Sequence, residues 1–273
     1  AAVITSLARA NCLVLSPRGS EGCHEGERAP AILLRSRERI ARTLLAAGSH
    51  DVALDALGAA LRGRGYDLVS SNVGSIAGLV ALKRRACHLA GTHVLDPGGT
   101  YNDAAVARYC PGERVALIGF VDRVQGLIVA PGNPLALRAI DDVARRRARF
   151  VNRQRDSGTR ILLDYLLAQA GLSPEAIAGY ERIEFTHTAV AALVASGAAD
   201  CGLGILAAAR ALGCEFVPVA DERYEIATLA ARLEEPSMAA LLEELHSPDL
   251  RRTVEALGGY HVDRAGEVRY APG

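Results

Sequence analysis

The chain has no net charge: among 273 residues, Lys plus Arg and Asp plus Glu number 31 each. Balanced charge leaves no overall field to draw it to nucleic acid or to an acidic lipid surface. No apolar run reaches the ~18 residues of a membrane-spanning helix. The first residues lack a basic stretch followed by an apolar one and a cleavage site, so export is not indicated and a cytoplasmic setting is expected. Metal-type cysteine spacing is missing too. Cys12, Cys23, Cys87, Cys110, Cys201 and Cys214 are scattered, and Cys23-His24 and Cys87-His88 have no second half. Reduced, mostly packed cysteines are the expectation. There is no Gly-x-Ser-x-Gly elbow, no His-Glu-x-x-His and no Walker-type loop. Gly202-Leu203-Gly204-Ile205-Leu206-Ala207 imitates a dinucleotide fingerprint. Too little chain follows Asp221 to complete that fold, so tight strand–helix packing is the better reading.

What is present is a globular composition, 50% hydrophobic, and length for one large or two modest domains. The first forty residues read as β structure without helices: Val3 to Leu15, a turn over Ser16 to Gly22, and an extended run from Ala29 to Arg35. From Arg42 the pattern becomes strand–helix alternation. Strands are expected at Thr43–Ala47, Tyr66–Val69 and His88–Ala90. The helices between them carry Leu54, Leu57 and Leu61, then Ile76, Leu79, Val80 and Leu82. Such alternation predicts a parallel sheet covered by helices, an α/β class. Arg114 to Ala130 is a long extended stretch ending at Pro131-Gly132-Asn133-Pro134. A second α/β set follows, with strands at 149–152, 183–186, 201–203 and 215–219 and an extended run at 224–229. Its helices are expected at 157–170, 188–196 and 205–212, and two more close the chain at 237–245 and 248–257.

The chemistry gathers where strands end. Gly48-Ser49-His50, Ser70 to Ser75, Gly91-Thr92-His93 and Ser157-Gly158-Thr159-Arg160 each put small hydroxyl or amide donors before a helix. Helix N-termini present unpaired N–H groups and the positive dipole end, and a tetrahedral oxyanion has only acceptors to offer. In open α/β sheets ligands sit beyond the carboxyl ends of strands. Two such sets joined by long extended segments predict two hinged lobes with an anion or polar ligand between them. The candidate ligand-binding residues are Ser49, His50, Asn72, Gly74, Ser75, Thr92, His93, Ser157, Gly158, Thr159, Arg160, His187 and Thr188. Arg160 suits two ligand oxygens, while an outward-facing Arg is the plain alternative. Any of His50, His93 and His187 is placed to donate to a ligand, or else lies on a polar rim. Asp51 and Asp156 are expected to complement helix dipoles. Tyr101-Asn102 is expected either at the mouth of the cleft or in a surface loop.

These residues resemble a known family. Gly48-Ser49-His50-Asp51, Ser71 to Ser75, Gly126 to Pro134, Phe150 to Arg160 and Ala199 to Gly204 are similar to the periplasmic-binding-protein-like domain found fused to molybdopterin biosynthesis proteins and to molybdate-type regulators. The first forty residues resemble the closing β segment of molybdopterin molybdenumtransferase, through Ser6 to Asn11 and Leu13 to Pro17, with Cys12 where such sequences usually carry Gly. The resemblance implies a β segment over 1–41 and a type II binding-protein fold over 42–273. One lobe spans about 42–120 plus 220–273 and the other about 121–219. It implies a cleft for molybdate, tungstate or a phosphorylated pterin. It also implies no intrinsic cofactor or metal and molybdenum cofactor biosynthesis proteins as partners. A ligand-binding or sensor role is expected, with no catalytic residue assigned. The rival is an enzyme acting on a phosphorylated pterin or nucleotide in the same cleft, with a histidine or Asp51 as acid or base.

Overall fold

The computed structural model describes residues 10–16, 18–20, 22–24, 27–96, 98–155 and 157–271. Ser6 to Arg9 of the β-segment resemblance, and Asp156, lie outside them. β1 (Cys12–Val14) and β2 (Ala31–Leu33) form a small antiparallel pair. The all-β expectation for this region needs one correction. Ser36 accepts from the Arg39 amide and starts a short helix, α1 (Arg37–Ala41), a side-chain cap that satisfies a first-turn N–H.

The main sheet is α/β as expected. Its order is β4 (Asp67–Asn72), β3 (Thr43–Gly48), β5 (Leu89–Thr92), β10 (Glu215–Leu229), β6 (Val115–Val129), β9 (Cys201–Ile205), β7 (Phe150–Arg153) and β8 (Ile183–Glu184). At one end β3 pairs in parallel with β4 and β5; at the other β7 pairs in parallel with β9 and β8. β6 and β10 are antiparallel to each other. Their outer partners differ along their length: β10 meets β5 at residues 225–227, and β6 meets β9 at 125–129. The two long strands therefore cross between two lobes. Short strands β11 (Tyr260–His261) and β12 (Val268–Tyr270) also pair with β6.

The expected extended runs at 215–219 and 224–229 are one continuous strand. In the sequence the three charges of Asp221-Glu222-Arg223 interrupt the apolar pattern and separate the two runs. Instead Glu222 lies opposite Arg123 in the ladder, and the strand absorbs the irregularity as register shifts between Pro218 and Ala220 and between Tyr224 and Glu225. Such bulges add local twist without ending a strand.

Helices cover the sheet. α2 (Val52–Gly63) buries Leu54, Leu57 and Leu61 on one face. That i, i+3, i+7 spacing is what an amphipathic helix needs. Truncating Leu57 to Ala should cost about 2–5 kcal/mol. α3 (Ser75–Lys83), α4 (Asp103–Tyr109), α5 (Ile140–Arg145), α6 (Gly158–Gln169), α7 (His187–Ala195), α8 (Leu206–Ala211), α9 (Pro236–Leu245) and α10 (Pro248–Ala256) follow. α4 and α5 were not expected; each is a short element of six or seven residues, too brief for a clear helical period. One core cluster runs from Leu44 and Leu57 to Val190 and Ala209, and another fills the second lobe around Phe150, Leu163 and Leu203. Gly204 and Gly202 confirm the packing reading of the false fingerprint: a Cβ on Gly202 would lie 2.5 Å from Val190, and one on Gly204 2.7 Å from Ile128.

Candidate functional site

The expected strand ends do converge, and His93 is the point they share. It follows β5, is fully buried, and sets its ring between both lobes. Its Nε2 is 2.7 Å from Ser49 Oγ, just after β3. Its amide donates to Ser75 Oγ, at the start of α3. Its Nδ1 contacts the Glu222 carboxylate on β10. Gly158, at the start of α6, lies against the ring, where a Cβ would collide with it. One residue along, Thr159 Oγ1 accepts from Gln125 Nε2 at 3.2 Å, and the same nitrogen donates to Glu222 at 2.8 Å. Ser49, Ser75, Gly158 and Thr159 are thus brought around one buried centre. Backbone geometry makes this approach feasible: Gly48 has φ of +135°, and a Cβ there would meet the Gly91 backbone.

Beneath this centre lies an ion network that the sequence reading missed. Arg123 of β6 contacts Asp51 and donates to Glu222 Oε2 at 2.6 Å, with all three side chains buried. Asp51 also caps α2 through the Ala53 amide at 2.7 Å, as its dipole role predicts, and receives Tyr260 Oη at 3.1 Å. Tyr224 stacks on His93 at 5.6 Å between ring centres and donates to the Ser49 carbonyl at 2.5 Å. Burial opposes every charge here, yet partners hold them. Glu222 would be raised by burial, but Arg123 and His93 keep it at about 2. Arg123, disfavoured by burial, is raised overall by Glu222 and Asp51. Burial lowers His93, with Glu222 opposing. Geometry sets the roles of its nitrogens: Nδ1 faces the Glu222 carboxylate, and Nε2 lies 3.3 Å from Arg123 Nη2, a group that can only donate. The available signal was period-2 alternation on the crossing strands, which places Arg123 with Gln125 and Glu222 with Tyr224 on single buried faces.

The second lobe is wired differently. Arg153 ends β7 and is 1% exposed. Its Nη2 donates to the Phe185 carbonyl at 3.1 Å and its Nε lies 3.4 Å from Gln154 Oε1, while Nη1 has no partner. Among the described residues no carboxylate pairs with it. Burial, then Arg123, lowers its pKa to about 10. His187 opens α7 at 6% exposure with both ring nitrogens unpartnered. Burial, then Arg153 and Arg123, lowers it well below the usual histidine value. Gly204 gives it room: a Cβ there would lie 3.3 Å from His187 Nδ1. Gln125 Oε1 is buried and unpartnered as well. Buried polar atoms are nearly always hydrogen-bonded, so such a group of exceptions marks a place built for something else.

Other expected residues sit elsewhere. Arg160 needs the clearest correction. Its guanidinium lies 3.7 Å from the centre of the Tyr180 ring and reaches Asp164 and the Tyr180 carbonyl. The i+4 carboxylate and the aromatic face capture it, so Arg160 is buried but partnered, whereas Arg153 keeps one nitrogen without a partner. His50 turns to Asp55 at 3.4 Å. Thr92 donates to Asn102 Oδ1 at 3.0 Å, an internal brace. Asn102 is not a lip of the cleft: it is buried and donates to Glu225 at 2.8 Å. Tyr101 is half-buried and donates to the Asp221 carbonyl at 3.1 Å. Thr188 is exposed. Asn72 is exposed but reaches across to the Phe185 carbonyl at 3.1 Å, joining the lobes at their rim. Gly74 is buried with φ of +86° and precedes α3 without a side-chain cap. Ser157 caps α6 by accepting from the Arg160 amide at 3.2 Å. Cys87, Cys110 and Cys201 are buried free thiols, whereas Cys12 and Cys214 are half-buried and Cys23 is exposed, so the expectation of packed cysteines holds for half of them; among the described residues no cluster of His, Cys, Asp or Glu suits a metal.

Two α/β lobes, crossed twice by the chain, with helix starts and buried cations between them, define the two-lobed binding-protein class. Residues 58–246 match the PBP superfamily domain, and the chain belongs to that superfamily. It is 36% identical over 196 residues to the uncharacterized protein YvgK of Bacillus subtilis (strain 168), covering 71% of this chain and 63% of YvgK. The chain therefore spans under two thirds of that relative. Among solved structures it resembles a putative phosphate ABC transporter substrate-binding protein with bound phosphate from Clostridium perfringens. The TM-score is 0.59 and identity 13%, over 79% of this chain and 97% of that one. It also resembles the amino acid transporter substrate-binding protein AbpA of Streptococcus pneumoniae bound to L-arginine. There the TM-score is 0.53 and identity 14%, over 79% and 94% of the chains. Such distant likeness establishes the fold, and the fold accommodates ligands of opposite charge.

Proposed function

We propose that this protein binds a small oxyanion between its lobes, as a ligand-binding or sensor domain. The carrying observation is Arg153: a buried guanidinium with one nitrogen unpartnered, near the N-terminus of α6. An uncompensated buried charge costs several kcal/mol, by order of magnitude. An anion there removes that penalty and gains charge-assisted hydrogen bonds. Thr159, Ser75 and the first amides of α6 supply neutral donors. The structural relative from Clostridium perfringens supports a phosphate-like ligand, while the family resemblance of Phe150 to Arg160 supports molybdate or tungstate. On the latter reading the protein serves molybdenum cofactor synthesis in the cytoplasm beside the proteins of that pathway, and residues 1–41 echo a molybdenumtransferase end. The hinge division near residues 120 and 220 belongs to the same proposal. Calorimetric titration with phosphate, molybdate, tungstate and sulfate tests it. Absence of heat from all four at high protein concentration would sink the reading.

A second reading has its own observation. Ser49 Oγ, His93 and Glu222 stand in the order nucleophile, base and orienting carboxylate. An enzyme acting on a phosphorylated pterin or nucleotide would use His93, rather than His50, as its base. Turnover of such a compound, lost in His93→Ala, would favour it.

A further inference from the structure

A second gathering of arginines lies at the far end of the first lobe. β3 and β4 run toward the cleft with Ser49 and Asn72 at their carboxyl ends, and they begin at Thr43 and Asp67. At about 3.3 Å per residue, Thr43 and Ser49 are roughly 20 Å apart. Around the amino ends, α1, the close of α2 and the start of β4 enclose an open groove of about 430 Å³, lined chiefly by Arg39, Arg42, Arg62, Tyr66, Asp67 and Glu38. That volume falls within the range of small-molecule sites, about 300–1,000 Å³.

Its charges are unevenly matched. Asp67 is half-buried, and its Oδ2 accepts from Arg39 Nε at 2.9 Å and from Arg35 Nη1 at 3.1 Å. The Arg39 hydrogen bond, against burial and with the attraction of Arg39, Arg35 and Arg62, holds this carboxyl below its ordinary range. One carboxylate oxygen therefore already serves two guanidinia. Arg42 and Arg62 are exposed, and among the described residues neither side chain has a hydrogen bond or an ion pair. Arg42 Nη1 lies beside Gly65, 3.5 Å from where a Cβ there would sit. Glu38 lines the groove and pairs with neither. Exposed arginines elsewhere do find carboxylates: Arg85 meets Glu113, and Arg149 meets Asp200. The helix dipole at the close of α2 accounts for a cation at Arg62. It does not account for Arg42, which follows a helix of only five residues.

We propose that this groove is a second ligand site, separate from the cleft, for a small molecule carrying two linked phosphates, the pyrophosphate or nucleoside diphosphate type. Arg42 comes from the end of α1 and Arg62 from the end of α2, so each phosphate can receive one guanidinium. Guanidinium forks match pairs of phosphate oxygens. Half-buried Tyr66 adds a hydroxyl with no partner among the described residues. Asp67 is the internal competitor, because it occupies Arg39 in the absence of ligand.

The test is calorimetric titration of the full chain with inorganic pyrophosphate and inorganic phosphate at low salt. It is run on the wild type and on Arg153→Met, in which the cleft lacks its unpartnered cation. Pyrophosphate should still bind Arg153→Met, at least about tenfold tighter than phosphate does, and should weaken as salt is raised because exposed charges are screened. Arg42→Gln with Arg62→Gln should weaken pyrophosphate about tenfold or more in either background. Both positions are on the surface, so folding should be kept. Asp67→Asn should tighten pyrophosphate about threefold by releasing Arg39. The proposal falls if Arg153→Met gives no heat with pyrophosphate, if the paired substitution leaves affinity unchanged, or if Asp67→Asn weakens binding. Should Arg153→Met fail to fold, the wild type against the paired substitution decides. Failure of the cleft to bind any oxyanion would overturn the function proposed above and leave this site standing.

Discussion

Arg123 and Arg153 are both arginines, both 1% exposed, one on a strand that crosses between the lobes and the other at the end of β7. Arg123 spans Asp51 and Glu222. Arg153 reaches only a carbonyl and an amide oxygen, with one nitrogen bare. The first is satisfied within the protein and acts as scaffold between the crossing strands. The second is unsatisfied within the protein and is placed to act on something else. Burial alone does not distinguish the two roles; completion of hydrogen bonding does.

The strongest way to break this comparison is Arg123→Met. It strands Asp51 and Glu222 without a counter-charge and should cost about 3–5 kcal/mol, read as a lower urea midpoint. A midpoint shift under about 1 kcal/mol would mean that Arg123 is not the scaffold.

Arg153→Met should do the reverse. Ligand affinity should fall about 100-fold, while the unliganded protein keeps or gains stability because an uncompensated buried charge is removed. Destabilisation comparable with that of Arg123→Met would erase the distinction.

Acid should sharpen it next. Burial depresses His93 and His187 in the folded state, so the unfolded chain binds more protons once pH falls below the ordinary histidine value of about 6.5. Stability should be fully present above that value and decline below it, by up to about 1.4 kcal/mol per pH unit for each histidine. Glu222, depressed to about 2, adds a further loss as pH falls from about 4.5 through that value. Thermal melts between pH 8 and pH 5 read the histidine part, and His187→Phe should flatten it; a melting temperature independent of pH over that range would contradict the burial of neutral imidazoles.

Asn72→Ala removes a rim hydrogen bond between the lobes and should weaken ligand binding by a factor of about 5, corresponding to about 1 kcal/mol, with little change in melting temperature. A loss as large as that of Arg153→Met would move Asn72 into the binding centre. Arg160→Met should have the smallest effect on affinity, under about threefold, since its guanidinium engages Tyr180 and Asp164.

Much of the frame was legible in the sequence. Thr43 to Gly48, the Leu54-Leu57-Leu61 stripe and the Ser157 cap are local patterns, written in neighbouring residues by strand alternation, helical period and hydrogen-bonding side chains. They placed Ser49, Ser75, His93 and Thr159 at strand ends facing one side of a parallel sheet. What they could not specify was partnership across distance. Arg123 and Glu222 are 99 positions apart, and only the pairing of β6 with β10 makes them a salt bridge rather than two surface charges. Choosing Arg153 over Arg160 as the unpartnered cation likewise awaited the tertiary structure, because both lie in one motif, both are buried, and the choice depends on Tyr180 and Asp164 claiming Arg160. Short-range periodicity fixes elements and their ends. Charge neutralisation and hydrogen-bond completion are set by whichever distant atoms arrive at the same point, and that is decided only when the chain is folded.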